Sequence, residues 1–181
     1  HPKVPSTIIE LLSHHNYYDM TFGLDPKFKF IASRAIYKGM LRFIHQTTGT
    51  PYVVQPLPVQ QMNIQYANND SLHIRWAERI DRLEPTATPT YYIIYTRTNQ
   101  LKDGQWQTSD WDNGIRVNNP QATLPIQRGV KYDFMVRAGN DGGVSLPSEV
   151  LSAYIDPAYN NNLALIINGF HRVDAPEMFG I

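Results

Sequence analysis

The chain has 181 residues, of which 16 are basic and 16 are acidic, so its formal net charge is zero at pH 7. A balanced charge provides no field that gathers nucleic acid, and no nucleic-acid partner is expected. The sequence contains no cysteine, which excludes thiolate metal sites, thiol nucleophiles and disulfides. No apolar run reaches the roughly 18 residues that a membrane-spanning helix requires.

The first segment, residues 1–51, predicts one strand followed by one helix. Residues 5–12 form a β-branched run that suits a buried strand and carries one carboxylate, Glu10. Asp25 and Pro26 predict a helix N-terminus, and apolar residues then recur at three- and four-residue spacing from Phe28 to Phe43. A strand and a helix cannot close a core by themselves, so we expect this segment to be the end of a larger, truncated α/β domain.

The second segment, residues 55–157, has the pattern of an all-β domain. Short runs typical of strands cover residues 59–66, 71–77, 90–98, 114–117, 122–126, 132–138 and 149–154, and polar turns separate them. Seven short strands over about 100 residues are the signature of a β-sandwich. The chain is therefore predicted to be mainly β, with a seven-stranded sandwich after the strand and the amphipathic helix.

Three positions in this segment carry a resemblance to a known family. Trp76 lies on an alternating strand with Leu72 and Ile74, and Leu124 and Tyr132 follow at the spacing of a strand-to-strand corner. Together with the Ala-Gly-Asn that precedes Gly-Val-Ser, they resemble the fibronectin type III family. The resemblance implies that Trp76, Leu124 and Tyr132 form the structural core and that the Tyr132 hydroxyl bonds back to the backbone. No Arg-Gly-Asp triplet occurs, so integrin binding has no support.

Both flanking segments carry further resemblances. Residues 5–16 and the helix with Ala35, Ile36 and Gly39 resemble the C-terminal end of the zinc-dependent N-acetylmuramoyl-L-alanine amidases. In that family Glu10 would be the catalytic glutamate, while the zinc ligands lie on a part that this chain does not contain. Residues 158–181 predict the first strand of a following, incomplete domain, and residues 165–173 are similar to exported Bacteroidetes proteins labelled putative xanthan lyases.

Several side chains allow both a functional and an ordinary interpretation. Glu10 fits a general base that activates a metal-bound water, or a solvated strand-end carboxylate. Trp106 and Trp111 fit a surface that stacks on sugar rings, or aromatic residues that cover a sandwich edge. His14, His15 and Asp19 offer metal-ligating nitrogen and oxygen atoms, or are surface or interface residues. Their spacing matches no zinc signature, and no metal site or other cofactor is predicted for this chain. The amidase resemblance allows zinc in the larger α/β domain of which residues 1–51 would be the end.

The function predicted from these observations is that of a spacer or interaction module. We expect a non-catalytic module of a secreted, periplasmic or cell-surface multidomain protein that acts on cell-wall or polysaccharide material. Its partners would be the neighbouring domains and, in addition, glycan or peptidoglycan. The alternatives are a carbohydrate-binding module and a part of a zinc amidase. One carboxylate cannot hold zinc, so this chain by itself is expected to be inactive.

Overall fold

A computed structural model describes residues 4–67 and 70–158, and these divide into two compact units. The first unit comprises residues 4–48 and the second begins at Gly49. In the described part of the chain, the first unit is helical and the second is built from strands, with one short 3-10 turn at Pro85–Ala87. No helix within these residues is long and apolar enough to cross a membrane.

The first unit contains two helices, α1 (Tyr17–Leu24) and α2 (Pro26–Thr48). The Asn16 side chain caps α1 by accepting a hydrogen bond from the Tyr18 N–H at 3.0 Å. Asp25 accepts from the Lys27 N–H at 2.8 Å at the start of α2, as its N-cap position predicts. The helix predicted from apolar periodicity is therefore confirmed, whereas α1 was not predicted because it covers only eight residues.

The strand predicted over residues 5–12 is wrong. These residues have no regular secondary structure and are exposed, including Ile8 at 87%. A strand is held by hydrogen bonds to a neighbouring strand, and the described part of this unit offers none. The segment instead runs beside the helices, where the Leu12 side chain lies so close to Gly23 that an added Cβ would stand 3.2 Å from it.

The second unit is a sandwich of two antiparallel sheets. Its strands are β1 (Gln60–Ala67), β2 (Ser71–Ala77), β3 (Tyr91–Lys102), β4 (Gln105–Thr108), β5 (Ile115–Val117), β6 (Gln121–Pro125), β7 (Lys131–Asn140), β8 (Gly143–Val144) and β9 (Leu151–Tyr154). The smaller sheet has the order β1-β2-β6. In the larger sheet β3 and β7 are central, β4 and β5 pair with β3, and β8 and β9 pair with β7. The predicted mainly-β sandwich is confirmed, and all seven predicted strands form.

The two additional strands, β4 and β8, belong to tight hairpins. β3 runs four residues past its predicted end and returns as β4 through the two-residue loop Asp103-Gly104, where both residues have positive φ (52° and 77°). Two positive φ values define the turn whose twist matches paired strands, and Asp-Gly is a preferred sequence for it. The residues between the predicted strands 90–98 and 114–117 therefore form, in part, a two-stranded β-ribbon.

The core lies between the two sheets. Trp76 from the smaller sheet is 6% exposed, and its ring meets that of Tyr92 from the larger sheet edge-on, with the ring centroids 5.3 Å apart. Burial, and to a lesser degree the charge of Glu78, raises the pKa of the Tyr92 hydroxyl, which keeps that group neutral. The remaining buried members of this cluster are Val59, Leu72, Ile74, Ile94, Ile126, Phe134, Val136 and Ala138.

Candidate functional site

Leu124 and Tyr132 lie at the margin of the core, at the corner between β6 and β7. Leu124 pairs with Leu72 across the smaller sheet and packs on the buried cluster. Tyr132 also packs on that cluster, and its hydroxyl accepts a hydrogen bond from the Gln127 N–H at 3.0 Å. This bond ties the β6–β7 loop to the strand that follows it. Residues 76, 124 and 132 are therefore scaffold residues of the sandwich.

A clamp holds the segment that enters the sandwich. Asn140, at the end of β7, is 5% exposed and donates from its amide nitrogen to the carbonyls of Val54 and Thr86, each at 2.9 Å. The same nitrogen lies 3.3 Å from the Thr88 carbonyl, and the side-chain oxygen of Asn140 accepts a hydrogen bond from the Gly142 N–H at 2.8 Å. One side chain thus joins the entry segment, the 3-10 turn and the β7–β8 turn.

The entry segment is packed as tightly as the core. Val54 is completely buried, and Pro56 is among the largest fully buried residues. A Cβ added to Gly142 would stand 2.4 Å from the Val53 carbonyl oxygen, so only glycine permits this approach. Nearby, the Tyr52 hydroxyl donates to the buried Glu84 carboxylate at 2.7 Å. The entry segment is therefore part of the sandwich.

The chain enters and leaves the sandwich at opposite ends of β7. The entry segment is fixed at Asn140, the last residue of that strand. On the exit side Tyr154 pairs with Lys131, the first residue of the same strand, and the Gly129 N–H donates to the Ile155 carbonyl at 2.8 Å. Nine steps of about 3.4 Å separate Lys131 from Asn140, so entry and exit lie about 30 Å apart.

The outward face of the larger sheet combines aromatic, aliphatic and cationic side chains. Register places Arg116 of β5 and Arg137 of β7 on either side of Ile93 of β3, in one row across three strands. We call this the arginine row. The next residue pair on this face is Tyr95 with Met135. The outward-facing residues of β3, β5 and β7 are Tyr91, Ile93, Tyr95, Arg97, Asn99, Leu101, Arg116, Lys131, Asp133, Met135, Arg137 and Gly139.

Two arginines on this face stack on aromatic rings. The Arg116 guanidinium carbon lies 3.6 Å from the centroid of the Tyr91 ring, which itself lies against Gly139. An added Cβ on Gly139 would stand 2.3 Å from two atoms of that ring. The Arg97 guanidinium carbon lies 4.7 Å from the centroid of the Trp111 ring. Both contacts are cation–π geometries, which orient the guanidinium groups.

Asp133 is a buried carboxylate on the same face. Its side chain is 4% exposed and accepts from Arg97 at 2.8 Å, from Asn99 at 2.9 Å and from Ser152 at 2.6 Å, while the Lys131 ammonium lies 3.6 Å away. Burial alone would raise the pKa of Asp133, but these hydrogen bonds and the Lys131 charge outweigh burial and lower it. Both carboxylate oxygens of Asp133 are therefore bound by neighbouring side chains.

The two tryptophans predicted to form a ligand surface occupy different settings. Trp106 lies on β4 near the hairpin tip, opposite Leu101, and the two side chains are 56% and 59% exposed. Trp111 follows β4 and is half-buried against Arg97. Trp111 therefore packs on the sheet, in line with its ordinary interpretation, and Trp106 is the one whose ring is largely exposed.

The amidase-like candidates do not assemble a catalytic group in the described structure. Glu10 is exposed in the irregular segment, and the rings of His14 and His15 contact each other with their centroids 3.9 Å apart. Among the described residues, no group of three His, Cys, Asp or Glu side chains is placed to hold a metal ion. The residues described here therefore do not fit a zinc site.

Sequence reasoning missed the clamp formed by Asn140, the bonds of Asp133 and the arginine row; Asn140 entered it only as part of the Ala-Gly-Asn motif. Asp133 and Arg137 alternate with the apolar residues of β7, which places them on the outward face, but alternation does not identify their partners. The Asn140 amide reaches a carbonyl 86 residues earlier in the chain, which no local pattern indicates.

No protein-family model and no curated protein matches the chain. Similar solved structures include the twitchin kinase region from C. elegans, with 20% identity, 60% of this chain and 18% of that chain covered, and a TM-score of 0.45. The fourth fibronectin type III domain of a human protein has 17% identity, covers 61% of this chain and 87% of that chain, and gives a TM-score of 0.43. The domain of human fibronectin type III domain containing protein 3 has 21% identity, 60% and 94% coverage, and a TM-score of 0.42. Two of these three similar structures are fibronectin type III domains.

Proposed function

We propose that the sandwich is a non-catalytic spacer and interaction module of an exported multidomain protein that acts on cell-wall or polysaccharide material, similar to the putative xanthan lyases. The observation that carries this proposal is the placement of its two chain connections at opposite ends of β7, about 30 Å apart. A domain with connections at opposite ends sets the distance between whatever precedes and follows it.

The entry clamp supports a rigid spacer over a flexible one. Asn140 donates to the carbonyls of Val54 and Thr86, and Gly142 lies against the Val53 backbone, so the entry segment has a fixed direction relative to the sheets. Proline at positions 51, 56 and 58 adds stiffness, because proline fixes φ and restricts the residue before it. The entry segment therefore has a fixed direction as well as a fixed position on the sandwich.

In this proposal residues 1–51 are the C-terminal part of an amidase-like domain. The support is helix α2, which begins at a capped Asp25-Pro26 and has no buried residue although it carries an apolar stripe. Ile31, Met40 and Phe43 on this helix are 63%, 55% and 48% exposed. Apolar surface of this extent is typical of a helix that packs on further structure.

Distance measurement between two spin labels tests the spacer. The chain has no cysteine, so Thr50→Cys and Tyr154→Cys create two unique attachment sites beside the entry and exit. We expect a narrow distribution centred at about 30 Å, and a broader one when Asn140→Ala is added. A broad distribution that does not respond to Asn140→Ala would argue against rigid spacing.

Carbohydrate binding is the second candidate, and the exposure of Trp106 favours it. A ring that is 56% exposed at a hairpin tip is available to stack on a sugar. A glycan array with Trp106→Ala and the packed Trp111→Ala separates the two functions. Glycan binding that Trp106→Ala abolishes establishes the second candidate, and the absence of any binding favours the spacer.

A further inference from the structure

We propose that the outward face of the larger sheet, centred on the arginine row, binds an acidic protein segment through carboxylate–guanidinium pairs around an apolar centre. This inference rests on the interaction role in the proposed function. It does not depend on the spacing, which the distance measurement tests separately.

The first argument is a local excess of positive charge. The outward side chains of β3, β5 and β7 comprise four cations, Arg97, Arg116, Lys131 and Arg137, and one carboxylate, Asp133. Asp133 already binds Arg97 and lies 3.6 Å from the Lys131 ammonium. The chain as a whole has no net charge, so this excess is a property of the face.

The second argument is that both arginines of the row are held in place but retain donors. Arg116 is stacked on Tyr91, and Arg137 donates from Nε to the Ser145 carbonyl at 2.7 Å. Stacking uses the face of a guanidinium, and the Ser145 bond uses one of five N–H groups. Oriented guanidinium groups form bidentate pairs with carboxylates at a reduced entropic cost.

The third argument concerns spacing. Arg116 and Arg137 lie on the two strands that flank Ile93, so their Cα atoms are roughly 10 Å apart. Ile93 lies between them and is half-buried. The next cross-strand pair on the same face, Tyr95 with Met135, is also half-buried. An apolar centre bordered by arginines is the composition that protein interfaces favour, with Tyr, Met and Arg enriched.

The same geometry favours a protein over an acidic glycan. Stacking on a sugar ring uses an open aromatic face, but the Tyr91 ring has Arg116 over it and Gly139 against it. The Trp111 ring has Arg97 over it. Around the arginine row the face therefore offers guanidinium edges and aliphatic surface, which match carboxylates that alternate with apolar side chains. The exposed Trp106 lies away from the row, at the tip of the β3–β4 hairpin.

The test measures binding of the full chain to two soluble probes at about 150 mM salt, where long-range attraction is screened. The probes are a random copolymer of glutamate and tyrosine and, as the carboxylated glycan, polygalacturonate. The double substitution Arg116→Ala with Arg137→Ala removes the row. Arg75→Ala is the matched control, because Arg75 is exposed on the smaller sheet and pairs with Gln65.

We expect the copolymer to bind and the double variant to weaken binding by about tenfold or more, because both carboxylate–guanidinium pairs of the row are lost. Arg75→Ala should leave the affinity within about twofold. Arg116→Lys, which keeps the charge but loses the planar fork, should also weaken binding. Urea melts followed by tryptophan fluorescence verify that the variants are folded, if each shows a cooperative transition with a midpoint near the wild-type value.

Three results would overturn the inference. One is no copolymer binding by the wild-type chain. Another is preferential binding of polygalacturonate, which would identify an acidic glycan as the ligand. The third is an equal loss of binding in Arg75→Ala and the double variant, which would show only non-specific attraction of polyanions.

Discussion

Substitution of Asn140 tests whether the entry clamp stabilises the sandwich. Asn140→Ala removes two amide hydrogen bonds at 2.9 Å to the Val54 and Thr86 carbonyls and the bond accepted from Gly142 at 2.8 Å. At about 1 kcal/mol net for each buried bond, the loss is about 3 kcal/mol. That is a large part of the roughly 5–15 kcal/mol that stabilises a typical domain.

The assay is urea unfolding of the full chain, followed by tryptophan fluorescence. All three tryptophans, at positions 76, 106 and 111, belong to the second unit, so the signal reports on the sandwich. With a denaturant slope of about 2 kcal/mol per M, a loss of about 3 kcal/mol lowers the midpoint by about 1.5 M.

Asn140→Asp distinguishes the clamp from simple volume loss. The aspartate has nearly the same size, but at pH 7 it places a carboxylate oxygen, which can only accept hydrogen bonds, where the amide nitrogen donates to the Val54 and Thr86 carbonyls. We expect it to be at least as destabilising as alanine at pH 7 and to regain stability in acid, where the carboxyl becomes a donor. A midpoint for Asn140→Asp at pH 7 that equals the wild-type value would refute this account of the clamp.

Three further predictions concern the scaffold. Tyr132→Phe removes the bond from the Gln127 N–H and should cost about 0.5–1.5 kcal/mol in the same urea assay, so an unchanged midpoint would contradict it. Gly139→Ala places a methyl group against the Tyr91 ring and should lower the free energy of unfolding by about 1–3 kcal/mol. Adding Tyr91→Ala should restore part of that free energy. A Gly139→Ala variant as stable as the wild type would rule out this packing. Because the folded-state pKa of Asp133 is lowered, its stabilisation is present above the unfolded value of about 3.9 and is lost as the pH falls through the folded value. The midpoints of wild type and Asp133→Asn should therefore differ at pH 7 and converge in strong acid.

The sequence by itself determined the strands, the long helix and the inward-facing core. Alternation placed Trp76 inside, the family resemblance placed Tyr132 at the core, and a capped Asp25-Pro26 start located α2. These signals are local, because a two-residue period, a cap and a turn are properties of neighbouring residues. The same local signal failed at residues 5–12, where β-branched composition favours a strand but no partner strand is described.

Only the tertiary structure decided which outward residues act together. The arginine row exists because β5 and β7 flank β3 in one register, and the clamp exists because Asn140 meets a carbonyl 86 residues away. Both depend on how strands far apart in sequence align. That alignment is fixed by packing over the whole sandwich, since a shift of one residue would turn every side chain of a strand to the opposite face.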